Sequence, residues 1–166
     1  MIKRMIKLAS VTCLLLIACQ INPNTDKADN KHTQLVETQN EAKVTDIPFT
    51  LAKNYFVNNT VEKLDNPKIE TAKTFNKIFG MATTMGKDGK PTEIDFDKKY
   101  VIAVILPETD LMTSIYPISL QKDENGKITL TYKTVVGEKQ SYRTRPSFEI
   151  IVDRTENGSI ELREQK

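Results

Sequence analysis

Cys13, Cys19 and His32 are the thiol and imidazole groups of this chain, and none of them lies beyond residue 32. Residues 47–166 therefore hold neither Cys nor His. For that stretch, Cys–His and Ser–His–Asp nucleophilic sites and thiolate or imidazole metal sites are excluded, because a serine hydroxyl needs a base and zinc takes sulfur or nitrogen ligands. Carboxylates remain. Asp95 and Asp97 are two apart, so an extended segment would set both on one face, as a carboxylate-only hydrolase or a Ca²⁺ site would require. An aspartate just before a strand commonly bonds its own backbone instead, and that is the reading adopted. Residues 123–126 (DENG) begin like a Ca²⁺ loop but lack its further ligands and its closing glutamate, so they are read as a hairpin turn. His32 sits among Asn, Thr, Asp, Gln and Lys, a composition that offers no rigid support for a site. No catalytic residue, metal ligand or cofactor is expected.

Cys19 is different. Residues 1–18 carry Lys3, Arg4 and Lys7 and then an apolar run over 8–18, broken only by Ser10, Thr12 and Cys13. The run is shorter than the roughly 20 apolar residues of a membrane-spanning helix, and a basic flank before a short apolar stretch is a secretory signal pattern. Leu16-Ile17-Ala18-Cys19 resembles the lipobox of bacterial lipoproteins: an aliphatic residue, a permissive position, a small residue and a cysteine. The resemblance implies cleavage before Cys19 and diacylation of its thiol. A disulfide with Cys13 is the competing use of Cys19, but Cys13 lies inside the segment that is removed. At about 0.8 kcal/mol per buried methylene, two long acyl chains hold a protein durably where one short chain does not. The mature chain is thus expected to be anchored to a membrane without spanning it.

Removal of residues 1–18 takes away three positive charges, which moves the net charge from +2 to −1. The basic character belongs largely to the leader, and no clustered cationic footprint for nucleic acid remains. Residues 20–46 hold few bulky apolar residues and no aromatic. They read as a flexible tether that, with Cys19, separates the membrane from one domain at 47–166 and spans roughly 30 Å.

Within the domain the most telling stretch is 98–106 (KKYVIAVIL), two lysines followed by an unbroken uncharged run. A half-buried strand alternates apolar and polar residues, so this one needs cover on both faces and reads as the central strand. Shorter extended pieces are expected at 54–58 and 67–70. Thr71 can N-cap a helix whose face is Ala72, Phe75, Ile78 and Phe79, with Gly80 at the left-handed position after it. Residues 81–92 read as a loop. Beyond the central strand a loop is expected at 107–114, a strand at 115–121 with Pro117 marking an edge or a bulge, and a clean alternation over 127–136. A turn at 137–140 and strands over 141–145, 148–152 and 159–163 complete the pattern. At least six strands, short turns and one helix predict a mainly β, α+β fold: a small antiparallel β-sandwich or open barrel with a capping helix.

Phe75 to Gly80 (FNKIFG), Ile94-Asp95-Phe96 shortly before the strand at 101–104, and Pro146 ahead of an Ile-Ile-Val strand together resemble the C-terminal domain of PrcB-like lipoproteins. The similarity covers roughly residues 69–155. In that family the name-giving member binds and stabilises a secreted subtilisin-like protease complex, so the resemblance implies a β-domain that engages a protein partner. The chain departs from the pattern at 107–114, which has no glycine where the family has a glycine-rich loop, and in the helix, which carries Phe where the family tends to carry Trp.

Three functions follow in order of preference. The first is a non-enzymatic protein, lipid-anchored to the outer or inner membrane of a bacterium and facing the periplasm or the surface, which binds another protein. A protease, inhibited or stabilised, is a candidate partner. The second is a small-ligand-binding lipoprotein with a cavity between its layers, and the third a hydrolase using carboxylates alone. For the first, Leu111 and Met112 in the 107–114 loop are the expected apolar anchors, since neighbours in a loop rarely both point inward. Met81 and Met85, on the opposite rim, are the second candidates.

Overall fold

A computed structural model describes residues 43–86 and 88–166. Cys19, His32, the leader and most of the 20–46 segment lie outside the described residues. The elements run β1 (Thr45–Asp46), β2 (Thr50–Ala52), β3 (Tyr55–Val57), β4 (Lys68–Ile69), α1 (Ala72–Ile78), β5 (Phe79–Met81), β6 (Lys99–Ile105), β7 (Thr109–Lys122), β8 (Ile128–Thr144), β9 (Ser147–Asp153) and β10 (Ile160–Gln165). They form a β-sandwich. One sheet has the order β2-β9-β6-β4, the other β1-β7-β8-β10, and a two-stranded sheet joins β3 to β5. The described pairings are antiparallel except β8 with β10, which run parallel.

The chemistry of β6 explains why it sits inside its sheet. Tyr100 through Val104 are all buried. Because successive side chains alternate, Tyr100, Ile102 and Val104 enter the core between the sheets with Leu120, Leu130, Phe148, Ile150 and Val152, while Val101 and Ala103 face Phe75 and Phe79 on the other side. Each fully buried aliphatic side chain contributes about 1.5–3 kcal/mol, so cover on both faces is what makes a run without polar breaks favourable here. Seven register pairs tie β6 to β9, closed at one end by Lys99 and Asp153, whose Nζ and Oδ2 lie 2.9 Å apart.

Thr71 caps α1 as expected, its Oγ1 accepting from the Thr74 N–H at 3.1 Å. The other end differs from expectation. Phe79 ends the helix in an extended conformation, and Gly80 continues into β5. A side chain at Gly80 would run into the ring of Phe56 on the paired strand, so this glycine serves close approach and not a left-handed cap.

The largest departure lies in the second sheet. Of the expected loop at 107–114 only 107 and 108 lie outside a strand, since β7 begins at Thr109, and residues 137–140 are not a turn, since β8 runs for 17 residues through them. The turn-like composition of Gly-Glu-Lys-Gln is absorbed as register shifts: Thr113 pairs with Val136, Leu111 with Lys139, and Thr109 with Thr144. Extra residues on one strand of a ladder bulge out without ending it. A Cβ at Gly137 would lie 2.9 Å from Cε of Met112, the far end of a flexible side chain, so the strands pack closely there. Pro117 sits at another register shift, on a stretch of β7 that β1 does not reach, where a missing N–H costs nothing. The first pairing of the domain, Thr45 and Asp46 against Lys122 and Gln121, lies within the stretch read as tether.

Candidate interaction surface

Beyond the sandwich, β7 and β8 continue as a two-stranded arm. On one side β10 accompanies β8 only as far as Lys133, which pairs with Gln165; on the other, β1 pairs with β7 at Gln121 and Lys122, and Ile47 just after it donates to the Leu120 carbonyl at 2.8 Å. Among the described residues no third strand lies on the outer side of β8 over 134–144 or of β7 over 109–119. Each free edge offers on the order of 30 Å of backbone donors and acceptors.

The arm exposes several large apolar side chains. Met112 is 55% exposed and Leu111 37%, and Tyr116, Val135, Val136 and Tyr142 are exposed as well. Leu111 and Met112, successive in β7, point to opposite faces. On one face Leu111 and Val136 join Leu106, Pro107 and Pro146 around an apolar groove of about 360 Å³ at the end of the sandwich. The arm holds its shape through local bonds. Lys139 Nζ lies 3.0 Å from Asp110 Oδ2, Arg143 Nε 3.3 Å from Glu108 Oε2, and the Thr113 hydroxyl donates to the Leu111 carbonyl at 3.0 Å. These exposed ion pairs contribute little stability each, and what they do is neutralise charge next to the apolar residues.

The structure brings 109–114 and 137–140 together, as paired strands. Met81 and Met85 stand elsewhere: Met81 on β5 is exposed at the mouth of a groove beneath α1, and Met85 is fully exposed in the loop after it. Asp95 spends its carboxylate locally, accepting from the Asp97 N–H at 3.1 Å and facing Lys98 Nζ at 3.6 Å. Asp123 likewise accepts from the N–H groups of Asn125 and Lys127, at 2.9 and 2.8 Å, and closes the β7–β8 turn. No cluster of three potential metal-ligating side chains occurs among the described residues.

Glu149 was not foreseen. It is 4% exposed on β9, on the face toward α1, in register with Ala52 of β2 and Ala103 of β6. These two alanines leave room for its carboxyl, whose Oε1 accepts from the Ser147 hydroxyl at 3.0 Å. Burial pushes its pKa up to about 7 against the opposing pull of that hydrogen bond. The signal in the sequence is a single acid inside Phe148-Glu149-Ile150-Ile151-Val152, where both neighbours on the same face are apolar or small.

The opposite end of the sandwich is closed by charge. Lys68 Nζ lies 3.1 Å from Glu70, donates to Asn157 Oδ1 at 2.8 Å and sits 4.8 Å from the ring centre of Tyr100; Lys122 Nζ pairs with Glu156 at 3.3 Å. Burial first, then the charges of Glu156 and Glu70, push the Tyr100 phenol up to about 12, so it stays neutral. Comparison of the chain with family models, with curated proteins and with solved structures finds no match.

Proposed function

We propose that this is a non-enzymatic protein, lipid-anchored to a bacterial membrane through Cys19, whose β-domain binds another protein by its β7–β8 arm. The observation that carries the reading is the arm itself: two free strand edges flanked by exposed Leu111, Met112, Val135, Val136 and Tyr142. Free edges and contiguous apolar residues are costly in a monomer, and an extended segment of a partner satisfies both at once, its backbone completing the ladder and its side chains filling the groove beside Leu111. The Leu-Ile-Ala-Cys motif supports the anchor, and the absence of Cys and His from 47–166 supports a binding role over catalysis. A protease is the partner class implied by the resemblance to PrcB-like domains, as a target of inhibition or stabilisation.

The test is site-specific photo-crosslinking at Met112 and Val136 in membranes, read by mass spectrometry. A discrete protein adduct at both positions, lost in Leu111→Glu with Met112→Glu, is expected. Adducts only to lipid, or none, would sink the binding role. The anchor is tested separately by Cys19→Ala, which should leave an uncleaved precursor that takes up no labelled palmitate.

A further inference from the structure

We infer that the groove beneath α1 is a binding site for a small zwitterion bearing an apolar side group, of the size and chemistry of an aromatic or large aliphatic α-amino acid. The groove holds about 480 Å³, inside the roughly 300–1,000 Å³ typical of small-molecule sites. Its apolar part is Phe75, Phe96, Ile94 and the ring of Tyr55. Tyr55 meets Phe75 edge to face at 5.0 Å and 88°, and Phe96 lies 5.6 Å from Phe75, so the rings hold one another in place.

The facing wall, residues 90–93, is pinned from outside the groove. Asn54 adopts a left-handed backbone with φ 63, and its Nδ2 donates to the carbonyls of Asp88 and Lys90 at 2.6 and 2.9 Å. The Tyr55 hydroxyl donates to the Thr92 carbonyl at 2.7 Å, and Lys53 and Thr92 exchange two further bonds. A wall set before a ligand arrives spares the cost of ordering it on binding.

Charge then selects the ligand. Lys90 and Glu93 flank Pro91 on this wall, and neither enters an ion pair among the described residues. Glu93 acts on the groove, since its charge, after burial and Glu149, helps push the Tyr55 phenol up. One cation and one anion at the mouth of an apolar groove complement a carboxylate and an ammonium together, whereas a ligand of single charge meets a like charge at one of them. A side chain of a protein partner supplies the apolar body without both charges. Exposed Met81, flexible and polarisable, can fold over such a body.

The test titrates L-phenylalanine into the full chain by calorimetry, beside L-alanine, phenylalaninamide and N-acetylphenylalanine, up to about 10 mM, the scale of weak ligands. Binding of L-phenylalanine, weakened about tenfold or more in each of the other three, is expected, because the amide and the N-acetyl compound each lose a charge-assisted bond and alanine loses the apolar group that fills the groove. Lys90→Gln should remove the preference over the amide, Glu93→Gln the preference over the N-acetyl compound. Ala72→Trp should fill the groove and abolish binding with the melting temperature held. Equal binding of phenylalanine, its amide and its N-acetyl form, no binding at all, or binding untouched by Ala72→Trp would each overturn the assignment.

Discussion

The two ends of the sandwich solve the same problem in opposite ways. At the Tyr100 end the gap between the sheets is stoppered by Lys68, Glu70, Asn157, Lys122 and Glu156, which pair with one another, while the Tyr100 phenol is kept neutral and its hydroxyl makes no hydrogen bond among the described residues. At the Leu106 end the sheets part, the arm runs on, and Leu111, Val136 and Pro146 border an apolar groove. The same polypeptide can thus close an end, and among the described residues nothing closes the other. Exposed apolar surface of this kind is costly, which is the physical reason the proposed binding is placed at this end.

Substitutions sharpen this contrast by their size. Between the two ends, Ile102→Ala should cost about 2–5 kcal/mol, measured by urea unfolding, because its side chain is wholly buried against both sheets; a loss below about 0.5 kcal/mol would remove β6 from the centre of the fold.

Glu149 gives the next effect, through pH. Its folded pKa of about 7 stands above the ordinary 4.5, so the folded state holds this proton more tightly than the unfolded one. Stability is then full below about pH 4.5 and is lost as pH rises through about 7, by about 3 kcal/mol in all. Asp153 and Glu161 are held below their usual range by Lys99 and Lys127 respectively and so act in the reverse sense, only in acid below that window. Unfolding midpoints at about pH 5 and about pH 8 should therefore differ in the wild type and converge in Glu149→Gln; an equal slope in both proteins would clear Glu149 of the effect.

At the closed end, Lys68→Met should cost about 1 kcal/mol, since its side chain is largely covered but its partner Glu70 is half exposed. At the open end, Leu111→Glu with Met112→Glu should shift stability by less than about 0.5 kcal/mol while abolishing partner crosslinking. A large drop in melting temperature for the latter pair would make the two ends alike and turn the arm into core.

What could be read in the sequence was what local chemistry decides. The buried run of β6, the Thr71 cap and the irregularity at Pro117 each follow from one residue type in one backbone environment. The arm was illegible because Gly137-Glu138-Lys139-Gln140 has the composition of a turn, and only the partner strand, not the local preference, carries β8 through it. The parallel place of β10 was hidden for a related reason. Nothing in residues 160–165 records that the chain has left one sheet and joined the other beside β8. Glu149 was passed over because a charged residue in a strand ordinarily marks the wet face, and the alanines that make room for it, at positions 52 and 103, are far off in sequence.

The β7–β8 ladder also differs from the rest in how far the chain must travel to make it. Lys122 meets Ile128 across a tight turn, whereas Val101 waits for Ile151 and Thr50 for the same residue about a hundred positions later. Nearby contacts cost less closure entropy than distant ones, so the hairpin is expected to take shape before the central sheet has assembled behind it. During that interval its bare edges and apolar side chains are available to every neighbouring nascent chain. Newly made protein should accordingly clump at high concentration through residues 109–119 and 134–144, and the bulges at Pro117 and Gly137 act as kinetic safeguards by spoiling the flat strand that such clumping requires.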